Sequence, residues 1–297
     1  MGKTKGKGVK ETLDMLDDNK AGVIVTNEVK AESKDEGRYL YCVGDSGERK
    51  YLGKIGLDGK EVYTVPFFDL CAVVHNCPSE PYKSEDNEVV KRWVITHEKV
   101  VEAAWEKFGT VLPLGFDTII KGEENISPEE NIKNWLKQDH VSLKEKIDKI
   151  RGKAEYGVQI FWEPKLIADE IAKTNEQIRN LNKDIKSKSK GMAYMLKPKL
   201  ENLLKKEMEK KADLCFKEFY ARIKKCVDEI RVEKTKKMSV FGSCGDEKRQ
   251  MLINLSCLVD KEKSKELREE LEKINEEERF TVRFTGPWPP YSFVAFG

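Results

Sequence analysis

Apolar positions along this chain follow two rhythms. RYLYCV at 38–43 is an unbroken run of aromatic and aliphatic residues bounded by Gly37 and Gly44, as expected of a buried strand. EVYTV at 61–65 and FDLCAVV at 68–74 predict further strands. Between 87 and 108 the period changes, because Val100, Val101, Ala104, Trp105 and Phe108 form one stripe of an amphipathic helix that Gly109 should end. VLPLGF at 111–116 adds a short apolar segment, and Pro113 bars it from the middle of a sheet. An α+β domain is therefore expected over 37–122.

KGEENI at 121–126 is a polar break, and Ser127 after it has the features of a helix N-cap, with Pro128 at the first helical position and Glu129 and Glu130 in the first turn. The second domain is placed at 127–297. Helices at 127–138 and 141–151 should lead into a strand, AEYGVQIFW, at 154–162. From Pro164 onward, Ile167, Ile171, Ile178, Leu181 and Ile185 recur at helical spacing. After the KSKSKG linker, Leu200 to Ile230 mark a second helix about 45 Å long. Two such seams predict an antiparallel coiled-coil hairpin over about 164–232. TKKMSVF, MLINLSCLVD at 251–260, a charged helix at 261–277 and RFTVRFTG at 279–286 complete the order strand, helical insertion, strand, strand, helix, strand. That is the split βαβ order of a ferredoxin-like unit with an enlarged first crossover.

Composition narrows the function classes. The 297 residues carry 55 Lys and Arg against 53 Asp and Glu, a balance too even to point to nucleic acid or an anionic membrane. Seven cysteines at irregular spacing suit free thiols in cytoplasm better than a disulfide framework. No apolar run follows the basic N-terminus, and none approaches the length of a membrane span. Residues 1–36, rich in Lys, Asp, Glu and Gly, read as a mobile charged tail.

Candidate chemistry is sparse. The three histidines, His75, His97 and His140, form no tight ligand pair, and the spacing of Cys71 and Cys77 around His75 is not that of a structural zinc site. Cys215 and Cys226, eleven residues apart, should share a helix face as small core residues. Gly44-Asp45-Ser46-Gly47 and Gly242-Ser243-Cys244-Gly245 read as turns between strands. No catalytic, cofactor or metal residue is assigned, and the chain is read as a non-enzyme. The rival reading is an enzyme or small-ligand binder of ferredoxin-like α+β fold, for which a deep pocket at His75 or His97 would be the mark.

The end of the chain is the most unusual stretch. FTGPWPPYSFV at 284–294 packs three prolines and four aromatic rings into eleven residues. PxxP would suit an SH3-type groove, but the stretch follows a final strand without a linker. The prolines are instead expected to forbid helix and sheet continuation and to hold Trp288, Tyr291 and Phe293 against the body as a lid. These three are the candidate partner-binding residues, alongside an exposed side of the N-terminal sheet or a free edge strand.

The same segment resembles the C-terminal hallmark of the gas vesicle protein GvpF/GvpL family. RYLYCV, FFDLCAVVHNCP at 67–78, HEKVVEAAW at 97–105, VLPLGFDT at 111–118, GKAEYGVQIFW at 152–162 and LINLSCLVDK at 252–261 agree with that family in order. Gly115-Phe116-Asp117-Thr118 departs from it, standing where members usually carry Arg-Phe-Gly-Thr. The resemblance implies a modified ferredoxin-like N-terminal domain and an α+β C-terminal domain with long helices. It also implies a non-enzymatic accessory protein that contacts the hydrophobic major shell protein GvpA, with other gas vesicle accessory proteins as further partners, and that resides with the vesicle in the cytoplasm.

Overall fold

A computed structural model describes residues 36–233 and 249–294. The chain opens with β1 (Glu36–Gly44), β2 (Tyr51–Gly53), β3 (Val62–Phe67) and β4 (Leu70–Pro78), followed by α1 (Asn87–Phe108), β5 (Val111–Pro113) and β6 (Ile119–Lys121). These strands form one antiparallel sheet in the order β2-β3-β4-β1-β5, with β6 also pairing β1. Pro113 sits on the flank, as its missing N–H requires. Helix α1 spans the residues expected from its stripe, starts on the Asp86 carboxylate, which accepts from Glu88 N–H, and closes at Gly109. The strands β2 and β6, three residues each, are too short to leave a periodic signal and were not foreseen.

Both faces of this sheet are covered, which corrects the expectation of an exposed side. Helix α1 lies on one face, where Tyr39, Tyr41, Val73, Val100, Val101 and Ala104 share a core. The other face is closed by α2 (Pro128–Gln138) and α3 (His140–Ile150), with Ile132, Leu136, Leu143 and Ile147 buried against Leu40, Val43 and Val74. The physical reason lies in RYLYCV itself, which lacks the polar alternation of a half-solvated strand.

Ser127 caps α2 as expected, accepting from Glu130 N–H at 3.2 Å, with Pro128 in the first turn. Ser127→Ala should cost about 1 kcal/mol, measured as a lower urea midpoint at unchanged m-value; no change would show that water replaces the cap.

The second sheet is built from β7 (Lys153–Trp162), β8 (Glu229–Val232), β9 (Gln250–Asp260) and β10 (Phe280–Trp288), in the order β10-β7-β9-β8. Between β7 and β8 run α4 (Pro164–Thr174), α5 (Glu176–Ser187) and α6 (Lys190–Lys224), and α7 (Ser264–Asn275) joins β9 to β10. Ala154, Tyr156, Val158, Ile160 and Trp162 alternate onto one face of β7 and pack with Ile253, Leu255, Cys257, Phe219, Ile223, Leu267 and Leu271. The helices thus cover that face. The opposite face is polar where Gln159 donates to Asn254 at 3.2 Å.

Three expectations change here. The first helical arm breaks at Asn175, whose extended backbone ends α4 and whose side chain caps α5 by accepting from Ile178 N–H. Both short helices pack along α6, which is 35 residues long and runs through Pro198. The second arm stops at Lys224 rather than reaching Ile230, because Glu229–Val232 pairs with β9 instead. Ile230 and Val232 suit a strand as well as a helix seam. Cys226 therefore lies beyond the helix, half-buried beside the core that holds Cys215. TKKMSVF and the Gly242–Gly245 turn fall outside the described residues, as does the tail up to residue 35.

Candidate partner-binding site

The final segment is built on a local exception. Strand β10 does not stop at its first proline. Its ladder with β7 runs from Phe280 opposite Trp162 to Thr285 opposite Gly157, shifts register, and resumes with Trp288 opposite Glu155. Sheet continuation past Pro287 is possible because β10 is an edge strand and the residue falls in the bulge. The bulge requires Gly286, which has φ of +108° and lies so close to β7 that a Cβ would come within 2.7 Å of the Glu155 carbonyl. The Gly286–Pro287 peptide is cis.

After Pro289 and Pro290 the chain makes a 3-10 turn at Tyr291–Phe293 and is clamped by one carboxylate. Glu155 accepts from Ser292 N–H at 2.8 Å and from the Ser292 hydroxyl at 2.6 Å. The Ser292 hydroxyl also lies 3.2 Å from that of Ser256, which donates to Glu233 at 3.0 Å. Beyond the clamp, Phe293 and Val294 enter the core shared by the first sheet, α2, α3 and Leu258 of β9. Arg231 stacks its guanidinium 5.3 Å from the Phe293 ring.

The three predicted residues thus separate. Phe293 is 4% exposed and packs into the core, where it holds the segment down. Trp288, 44% exposed, and Tyr291, 36% exposed, instead wall a cleft of about 260 Å³ together with Pro289, Glu98, Glu102 and Glu155. Burial, followed by the fields of Cys42, Glu98 and Glu102, raises the Tyr291 phenol above its ordinary range, so it stays neutral and able to donate. Glu98 and Glu102 lie one helical turn apart on α1, and the Glu155 oxygens are taken by Ser292. An indole and two surface carboxylates suit a polypeptide side chain that is apolar along its stem and polar or cationic at its tip.

Sequence reasoning missed Glu98, Glu102, Glu155 and Ser292. The one readable signal was Glu155, a charge inside a strand whose alternate residues are all core.

The histidines lie elsewhere. His75 and His97 are buried in the core under α1, and His140 faces Asp69 on the surface. His75 is held between the hydroxyls of Tyr41, 2.8 Å away, and Tyr82, 3.0 Å away. Among the described residues no group of three or more His, Cys, Asp and Glu side chains could hold a metal. The six described cysteines carry free thiols, and burial pushes Cys71 and Cys257 to about 12. No described helix is long and apolar enough to cross a membrane.

The model of the gas vesicle synthesis protein GvpL/GvpF family matches residues 37–295, from β1 through the clamped terminus. This chain belongs to the GvpL/GvpF family. It is 32% identical to gas vesicle protein L1 of Halobacterium salinarum, over 87% of this chain and 90% of that one. Gas vesicle protein F of a Nostoc species is 22% identical over 87% and 98% of the two chains. The crystal structure of GvpF from an Anabaena species superposes with a TM-score of 0.69 at 22% identity, covering 88% of this chain and 99% of that one. The fold is therefore the mixed α/β fold of GvpF, with its antiparallel sheets, and a role in gas vesicle assembly follows from the family.

Proposed function

We propose that this chain is a non-enzymatic accessory or minor structural protein that binds the hydrophobic major shell protein GvpA and aids nucleation or growth of the gas-filled shell. The observation that carries this reading is the family match, which runs unbroken across both sheets and ends on the clamped segment. Trp288 and Tyr291 are read as contacts for the shell protein, with Phe293 acting through them by fixing the segment. The protein is placed with the vesicle in the cytoplasm. Two domains, 37–122 and 127–297, are proposed, the second as a ferredoxin-like unit, since β10-β7-β9-β8 places its strands in the spatial order fourth, first, third, second.

Strand addition at β10 is the less favoured route. Its outward N–H at Val282 is already taken by the Asn275 side chain at 2.9 Å, and that of Phe280 by the Glu277 carbonyl.

Immobilised chain should retain GvpA, and Trp288→Ala and Tyr291→Ala should each lower retention about tenfold while leaving the urea midpoint close to that of the native chain. Unchanged retention in both folded variants would remove the cleft from the interface. Expressing the vesicle gene set with and without this chain, then imaging the cells, tests the role itself: normal vesicles in its absence would overturn it.

A further inference from the structure

Phe68 stands at the apex of the β3–β4 hairpin with 77% of its surface in solvent. Phe67 pairs with Leu70, so the loop has two residues, and Phe68 takes the first of them at φ of +51°. Glycine, asparagine or aspartate fits that left-handed position without strain, whereas a bulky aromatic does not. Leaving the ring in water also forfeits what its burial would contribute. Within the described residues its ring neighbours are Phe67, with centroids 4.6 Å apart, and His140, 6.1 Å away. Two costs are therefore accepted at one residue without a matching gain inside the fold.

The surroundings hold the apex in this state. Gly47 lies against it so closely that a Cβ there would fall 2.0 Å from the Phe68 carbonyl oxygen. The Asp69 carboxylate accepts from Lys144 at 2.8 Å and from His140 Nε2 at 2.8 Å, and Lys144 also reaches Asp45 at 2.9 Å. Strain that the neighbourhood over-determines in this way points to use at a contact. Val141, next to His140 in the chain, leaves 71% of its surface open as well. The result is a pre-ordered aromatic with a rim of Asp69, His140 and Lys144, and with the exposed Val141 following His140 in the chain. This is the anatomy of an interface anchor, in which a ring already fixed in place loses little freedom on binding.

We infer that Phe68, with Val141, inserts into an apolar socket on a vesicle shell subunit, as a contact separate from the cleft at Trp288. The partner follows from chemistry: an uncharged ring thrust out of a charged surface needs an apolar protein face, and the inference rests on the reading that this chain holds the hydrophobic shell protein.

The strain makes the test clean, because glycine at position 68 relieves the backbone while removing the ring. Phe68→Gly and Phe68→Asn should unfold at urea concentrations equal to or above that of the native chain, yet retain about tenfold less co-expressed GvpA. Benzoylphenylalanine at position 68 should form a light-induced adduct with GvpA. Undiminished retention in Phe68→Gly, a lowered urea midpoint in that variant, or adducts only with lipid or a second copy of this chain would each overturn the inference. If Trp288→Ala loses GvpA while Phe68→Gly keeps it, the anchor fails and the proposed function stands. If the native chain retains no GvpA, both fall.

Discussion

Replacing Phe293 with alanine should free the C-terminal segment and lower stability by about 3 to 5 kcal/mol, the usual cost of removing a fully packed ring. Phe293 is 4% exposed, in a core that also includes Leu258, Val294 and the inner faces of α2 and α3. It lies one residue from Ser292, whose two hydrogen bonds to Glu155 depend on the segment staying seated. Loss of the ring therefore undoes the clamp as well as the packing. Urea unfolding gives the energy, and exchange of the Ser292 amide gives the location. An unchanged midpoint with a protected Ser292 amide would show that the segment is held by other means. Glu155→Gln should act in the same direction but more weakly, about 1 kcal/mol, because one acceptor oxygen remains. Since Trp288 and Tyr291 are carried by the same segment, both variants should also weaken GvpA retention if the cleft is used.

How far the chain could be read in advance depended on whether a feature was local. The stripe of α1, the Ser127 cap and the β7 run were legible because each is set by residues within one or two turns of one another. The rigidity of the terminus was legible too, since prolines and rings announce it. Continuation of β10 through Pro287 was not, because it depends on β7 lying close enough to require Gly286. Helix α6 was carried too far for a similar reason: Ile230 fits a helical seam, and the pairing with β9 that overrides it is a long-range contact. The cleft was invisible in sequence because Glu98, Glu155 and Trp288 come from three distant stretches and meet only in the fold. The unbroken apolar character of RYLYCV did carry the news that both faces of its sheet are covered, and the expectation of an open side went against it.

Acid should destabilise this protein well before its carboxylates are protonated, because two histidines are buried in neutral form. His75 and His97 are 0% and 3% exposed, and burial pulls both down to about 4; the Lys60 field adds to this at His75, while the Leu114 carbonyl opposes it at His97. The hydrogen bonds explain why protonation is resisted. His97 Nε2 faces the Leu114 carbonyl at 3.1 Å, which only accepts, so Nε2 carries the proton and Nδ1 accepts from the Tyr39 hydroxyl at 2.9 Å. A second proton on Nδ1 would remove that acceptor. The Tyr39 oxygen already receives Asp117 N–H at 3.0 Å, so the disturbance would pass to the loop after β5. In the unfolded chain both histidines titrate near 6.5. The native state thus binds fewer protons than the unfolded one between about 6.5 and 4, and stability falls as pH drops through that window. At pH 5 the loss should be about 2 kcal/mol for each histidine, relative to pH 7.5. Asp69, held to about 2 first by Lys144 and then by His140, contributes its own loss only at lower pH, so the two effects separate. Urea midpoints between pH 7.5 and 4.5 should slope downward in the native chain and about half as steeply in His97→Gln. A flat profile, or a slope untouched by the substitution, would mean that the imidazoles open to water before they charge.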